Sequence, residues 1–317
     1  MSDLIYLHDT SLFSDNLGDH IIMKFINSEI EALFPNAEIW RSPTHCKSNK
    51  YIRSKYQASD YAIICGTNIL NSNIFKYRQL ILSLSDFIKY KKSILLGAGW
   101  WKYQNLPDLV SSIFWKKILS NKALHSVRDE YTKKMLGSTG IRFITNTSCP
   151  TTWNINNFNL KQTDISCSKV VFTLTDYNRD KNRDLKFIKI ILNIYDELYF
   201  WPQGAYDLDY LKQLLPDFNH IKILGRSLKS LEEIFCDEKV DYVGTRLHAG
   251  IRALNLGKRS FILGVDNRSI EMGKDIGMPI VKIETLGELE SLINSPYNLR
   301  LKIPHEEISN WRQQFLS

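Results

Sequence analysis

No apolar run in the chain approaches the ~20 residues a membrane-spanning helix needs. The opening, Met1-Ser2-Asp3-Leu4-Ile5, lacks the basic region and long apolar stretch of a secretory signal. A cytoplasmic protein is expected, with at most peripheral contact with the inner membrane face. The five cysteines (Cys46, Cys65, Cys149, Cys167, Cys236) include no CxxC pair, and two sit in apolar runs. They read as reduced thiols used as small hydrophobes, not as a disulfide framework. The histidines show no H-E-x-x-H or H-x₃-H spacing, so neither a metal nor a cofactor is expected. There is no P-loop, and Leu96-Gly97-Ala98-Gly99-Trp100-Trp101 lacks the third glycine of a dinucleotide fingerprint. The net charge of +7 comes without a zinc-finger or RRM signature, which argues against nucleic acid and leaves phosphorylated substrates or an anionic membrane face as partners.

What is present is an alternation. Short apolar runs followed by longer amphipathic stretches recur at Leu4 to Leu7, Tyr61 to Cys65, Ser93 to Leu96, Ala123 to Val127, Val170 to Leu174, Leu198 to Trp201, Ile221 to Leu224, Val240 to Val243 and Ser260 to Leu263. Such a pattern predicts an α/β protein of parallel strands covered by helices on both faces. A length of 317 residues exceeds one ordinary core. The polar stretch from Ser148 to Thr163 reads as a connection, giving expected domains at 1–150 and 165–300, with 301–317 as a final helix whose Ile308, Trp311 and Phe315 are helically spaced.

Three constellations stand at ends of these runs, where open parallel sheets bind ligands. Asp15-Asn16-Leu17-Gly18-Asp19-His20 is a small polar turn opening a helix, able to present backbone N–H groups; its plainer reading is that Asp19 caps the helix. Ser126-Val127-Arg128-Asp129 puts a guanidinium suited to carboxylate or phosphate at a strand end; the plainer reading is a surface pair of Arg128 with Asp129. Val243-Gly244-Thr245-Arg246-Leu247-His248-Ala249-Gly250 combines a glycine break, a guanidinium and an imidazole, the mixture that can hold an anion and move a proton beside it. A packed core histidine is the plainer reading of His248.

Asn16-Leu17-Gly18-Asp19, Gly97-Ala98-Gly99, Ser126-Val127-Arg128-Asp129 and Gly244-Thr245-Arg246-Leu247-His248-Ala249 resemble, in order and spacing, the landmarks of the polysaccharide pyruvyl transferase family. Gly257 to Asp266 resembles the strand and loop that follow. The resemblance implies two Rossmann-like domains facing across a cleft, as in GT-B enzymes. It implies phosphoenolpyruvate as donor and a hexose on a lipid-linked or nucleotide-linked saccharide as acceptor. By the same likeness, Arg128, Arg246 and His248 are the catalytic candidates, and Asn16, Gly18, Asp19, Gly97, Gly99, Leu247 and Arg268 the substrate-binding ones. The rival expectations are a GT-B-type glycosyltransferase using a nucleotide sugar and a non-catalytic sugar- or phosphate-binding protein.

Overall fold

The computed structural model describes residues 3–47, 49–77, 79–80, 92–155, 161–162, 167–237 and 239–316. Much of the expected connection after Thr152 therefore lies outside the described residues. The chain divides into two compact units: Met1–Ser14, Ile22–Trp153 and Ile303–Ser317 form the first, Asp15–Ile21 and Asn154–Lys302 the second. This differs from a division at 1–150, 165–300 and 301–317 in two places. The Asp15–Ile21 segment groups with the second unit, and the last helix with the first.

In the first unit, β1 (Leu4–Asp9), β2 (Glu38–Pro43), β3 (Tyr61–Cys65) and β4 (Ser93–Leu96) form a parallel sheet in the order β2-β1-β3-β4. A second parallel pair, β5 (His125–Val127) and β6 (Ile144–Asn146), is joined to it by the bridge Ala98↔Val127. The continuous order is thus 2-1-3-4-5-6, a doubly wound layout. Strands β3 and β4 are almost wholly buried, which is why they read as unbroken apolar runs. The helices are α1 (Leu17–Leu33), α2 (Lys50–Ala58), α3 (Leu109–Ile118) and α4 (Glu130–Gly137). Trp100, Trp115, Leu95 and Ile64 centre the core they cover.

In the second unit a short β7 (Lys161–Gln162) is followed by β8 (Lys169–Thr173), β9 (Glu197–Phe200), β10 (Ile221–Ile223), β11 (Val240–Gly244), β12 (Ser260–Leu263) and β13 (Ile280–Val281). The last six make one parallel sheet in the order β10-β9-β8-β11-β12-β13. Counted from β8 this is 3-2-1-4-5-6, the order of dinucleotide-binding folds, with its switch point between β8 and β11. The helices between these strands are α5 (Lys181–Ile194), α6 (Asp207–Leu214), α7 (Leu228–Ile234), α8 (Leu247–Asn255), α9 (Asn267–Ile276) and α10 (Leu289–Ile293). Strand β14 (Tyr297–Asn298) pairs antiparallel with β7, and α11 (His305–Gln313) ends the chain. Among the described residues no helix is long and apolar enough to cross a membrane.

Candidate functional site

The switch point of the second unit is where the third constellation falls. Strand β11 ends at Gly244, and α8 opens at Leu247 with Arg246 as its N-cap residue, whose own side chain makes no capping hydrogen bond. A Cβ on Gly244 would stand 2.4 Å from Thr173 Oγ1. That close approach lets β11 run hard against β8, and Arg246 N donates to the same Thr173 oxygen at 3.2 Å. The first-turn N–H groups of α8 thus sit beyond the sheet's carboxyl edge, the position at which helices receive anions.

Arg246 is buried at 3% exposure and heavily engaged. Its Nε donates to Leu174 O (3.2 Å) and Asp207 Oδ2 (3.0 Å), and its Nη2 to Asp176 Oδ1 (2.8 Å) and Asp207 Oδ1. Among the described residues Nη1 makes no hydrogen bond. The Tyr177 ring lies 4.9 Å from this guanidinium and 5.7 Å from that of Arg268. Arg268 in turn donates through Nε (2.9 Å) and Nη2 (2.5 Å) to Asp266 Oδ2. Burial opposes both charges, but the neighbouring carboxylates, Asp207 for Arg246 and Asp266 for Arg268, more than offset it, so both pKa values lie above arginine's usual one. Asp19 contributes in the same sense to Arg268, by charge alone and less than Asp266.

The Asn16–Asp19 turn packs on His248. Gln203 Nε2 donates to Asn16 Oδ1 at 2.8 Å, Gly18 N donates to the same oxygen at 3.1 Å, and Leu17 N donates to Gln203 O at 3.0 Å. Asn16, the residue before α1, therefore supplies the side-chain acceptor to the first turn, a role the sequence suggested for Asp19. Gly18 has no room for a side chain: a Cβ would stand 2.8 Å from Gln203 Nε2 and 3.3 Å from His248 Nδ1. His248 is 2% exposed and Leu247 4%. Gln203 is 3% exposed, and its Oε1 is buried without a hydrogen-bond partner among the described residues. An orphan acceptor of this kind, about 1–3 kcal/mol unfavourable if left dry, marks a place where a ligand donor or a water belongs.

The other three expected residues, Gly97, Gly99 and Arg128, lie together in the first unit. Arg128, 1% exposed, follows β5; its backbone N donates to Ala98 O at 3.1 Å and its Nη2 to Asn68 Oδ1. Its Nε lies 3.5 Å from Asp129 Oδ2. The pair with Asp129 thus exists, but buried and not on the surface, because Asp129 turns inward to cap α4 by accepting from Thr132 N at 2.6 Å. Gly99 makes space for this arginine, since a Cβ there would fall 2.1 Å from Arg128 Nη2, and Gly97 lies against Pro150. Neither glycine offers an open turn to a ligand.

Asp176, Asp207, Gln203 and Tyr177 were not singled out from the sequence, whereas Asn68 lies in Cys65-Gly66-Thr67-Asn68, a strand-end loop where chemistry is expected. Gln203 follows an apolar run directly, in Trp201-Pro202-Gln203-Gly204, so the same strand-end rule points to it. The acidic partners of Arg246 come from the loop after β8 and from the start of α6 and carry no local signal.

The second unit thus gathers Asn16, Gly18, Asp19, Arg246, Leu247, His248 and Arg268, an arrangement equipped to bind an anion and exchange a proton. In overall structure the chain is similar to Methanocaldococcus jannaschii UDP-GlcNAc 2-epimerase in complex with UDP-GlcNAc and UDP, at 15% identity and TM-score 0.58, covering 100% of both chains. It is also similar to S. aureus MnaA with UDP, at 11% identity and TM-score 0.52, covering 100% of this chain and 97% of the other. At these identities the likeness concerns the fold, which is α/β and GT-B-like. No curated protein sequence matches the chain. The sequence pattern described as "Polysaccharide pyruvyl transferase", however, matches residues 16–267, from the Asn16 turn through α8 to the start of α9. With four-fifths of its length under that one pattern, the chain belongs to the polysaccharide pyruvyl transferase family.

Proposed function

We propose that this pyruvyltransferase forms a ketal, taking the pyruvyl group from phosphoenolpyruvate and joining it to two hydroxyls of one hexose in a bacterial surface-polysaccharide precursor carried on a lipid or a nucleotide. The observation that carries the reading is the opening of α8, where a buried imidazole, a guanidinium whose Nη1 makes no hydrogen bond among the described residues, and a helix N-terminus whose N-cap residue supplies no side-chain cap meet at the switch point of the sheet. The helix N-terminus and Arg246 Nη1 suit the donor's anionic groups. His248 supplies the proton that the methylene carbon of the donor must take up, an imidazole being able both to give and to accept a proton. One sugar hydroxyl then adds to the cationic carbon and gives up its proton, phosphate leaves with its bonding electrons, and a second hydroxyl of the same sugar closes the ring and gives up its own, so that one of the two protons restores His248 and the other leaves with phosphate. Gln203 Oε1, lacking a partner, suits an acceptor hydroxyl. Arg128, in the first unit, is assigned a donor contact on the family likeness alone.

Incubating the protein with phosphoenolpyruvate and a hexose-bearing acceptor should release inorganic phosphate and add one pyruvate ketal to the acceptor by mass. Release of nucleotide from a nucleotide sugar, with no phosphate from phosphoenolpyruvate, would move the assignment to a glycosyltransferase. Binding without turnover of either would leave a sugar- or phosphate-binding protein.

A further inference from the structure

Helix α3 is apolar on both sides. Ser111, Phe114, Trp115 and Ile118 are buried against the first unit's core. The opposite face carries Leu109, 76% exposed, with Val110 and Ile113 at 50% each, and Leu106 just before the helix at 65%. At 3.6 residues per turn, Leu109, Val110, Ile113, Lys116 and Lys117 fall on one stripe, so the apolar surface runs directly into a cationic end. Lys116 also lines a groove of about 320 Å³ with Arg142 and Phe143, the latter 52% exposed. The acidic residue at the helix start, Asp108, is engaged as the N-cap, accepting from Ser111 N at 2.7 Å.

We propose that this face of α3 docks the protein on an anionic lipid surface, with Leu106, Leu109, Val110 and Ile113 entering the headgroup–acyl boundary and Lys116, Lys117 and Arg142 meeting lipid phosphates. An apolar stripe bordered by cations is the design of helices that lie in a membrane interface. A second copy fits the charges poorly. A two-fold contact through this face would bring both cationic ends into one interface, and Asp108, the acidic residue at the helix start, is already engaged as the N-cap. The inference is independent of the pyruvyl-transfer reading.

The test is co-sedimentation of the full-length protein with vesicles of phosphatidylcholine alone and of phosphatidylcholine mixed with phosphatidylglycerol. Binding is expected only to the mixed vesicles and should weaken as salt is raised. Leu109→Asp with Ile113→Asp should abolish it. Lys116→Ala and Lys117→Ala should weaken it roughly fivefold per charge, and the Leu109, Ile113 and Lys116 variants should keep their thermal midpoints because those side chains are exposed. Leu316→Ser, at an equally exposed leucine elsewhere, should bind as the parent does. Absence of binding to the mixed vesicles, or equal loss in Leu316→Ser, would overturn the proposal. So would a dimer seen by light scattering that Leu109→Asp dissolves while vesicles stay unbound.

Discussion

Arg246 and His248 stand two residues apart and are held in opposite ways. The arginine is fixed by two carboxylates and a carbonyl, so most of its charge is answered within the fold. The histidine is packed against a glycine that leaves it no spare space. Substitutions should separate these roles. His248→Ala should lower turnover by roughly 10²–10⁴-fold, and His248→Gln should be nearly as poor, because an amide cannot titrate. Measuring thermal midpoint and turnover on one preparation decides the matter. A stable, active His248→Gln would make the residue a packed one and nothing more. Asp207→Ala should instead act on stability. It strips the 0%-exposed partner from a 3%-exposed guanidinium and removes the acceptor of Gly204 N (2.7 Å) and Asp176 N (3.1 Å). Breaking one side of a buried pair costs about 3–5 kcal/mol, readable as a fall in urea midpoint at unchanged slope. A loss below about 1 kcal/mol, the usual range for exposed pairs, would mean that water replaces the carboxylate and that the pair does not hold Arg246 in place.

At the level of elements, the buried central strands were legible as apolar runs, and so was the edge strand Ile221–Ile223, although two of its three residues are exposed. Tyr61–Cys65, Ser93–Leu96 and Ser260–Leu263 coincide with apolar runs residue for residue. Glu38–Pro43, also an edge strand, escaped notice: only Ser42 is buried, and a mixed sequence ending in proline gives no period to read. Ile144–Asn146 and Ile280–Val281 are too short for any pattern. At the site, the arginine, histidine and glycine signals were local and visible, whereas Asp176, in a loop, and Asp207, at the start of α6, reach Arg246 from 70 and 39 positions away, a proximity created by strand order. The last helix shows the converse case. Its spacing was plain in Ile308 and Trp311, yet its partners were not. Trp311 is fully buried, Phe315 packs edge-on against Phe34 and Tyr61, and Arg312 holds Glu29 through Nε (2.6 Å) and Nη2 (2.7 Å). Gln314 clasps Leu124 in both directions (2.9 and 3.1 Å). Trp311→Ala should therefore destabilise the first unit by about 3–5 kcal/mol. Arg312→Ala, which removes a half-exposed pair, should cost no more than about 1 kcal/mol. Chemical denaturation of both variants gives the comparison, and equal losses would show that α11 is held by its surface pair instead of its core contacts.

For the molecule as a whole, acid should be the weak side, and His125 is one identifiable cause. It is fully buried in β5, between Leu95 N, which approaches Nδ1 at 3.3 Å, and Ser120 O, 2.8 Å from Nε2. Leu95 N can only donate, so Nδ1 is the acceptor and the proton resides on Nε2, facing the carbonyl. A second proton would have to displace the Leu95 contact inside the core. Burial accordingly depresses the pKa from 6.5 to about 4, with the Ser120 carbonyl opposing the shift only in part. Between those two values the unfolded chain takes up a proton that the folded one refuses, so folding stability is full above pH 6.5 and declines as the pH falls toward 4. The shift corresponds to about 3 kcal/mol once both forms would be protonated. Over the same interval the chain, already at +7, gains further positive charge, which adds self-repulsion in the same direction. The expected result is a thermal midpoint that drops steeply between pH 6.5 and 4. In His125→Gln, whose amide can keep one contact without titrating, the drop should be shallower, even if the variant starts from a lower midpoint at neutral pH. An identical slope in parent and variant would assign the acid sensitivity to overall charge and clear His125 of it.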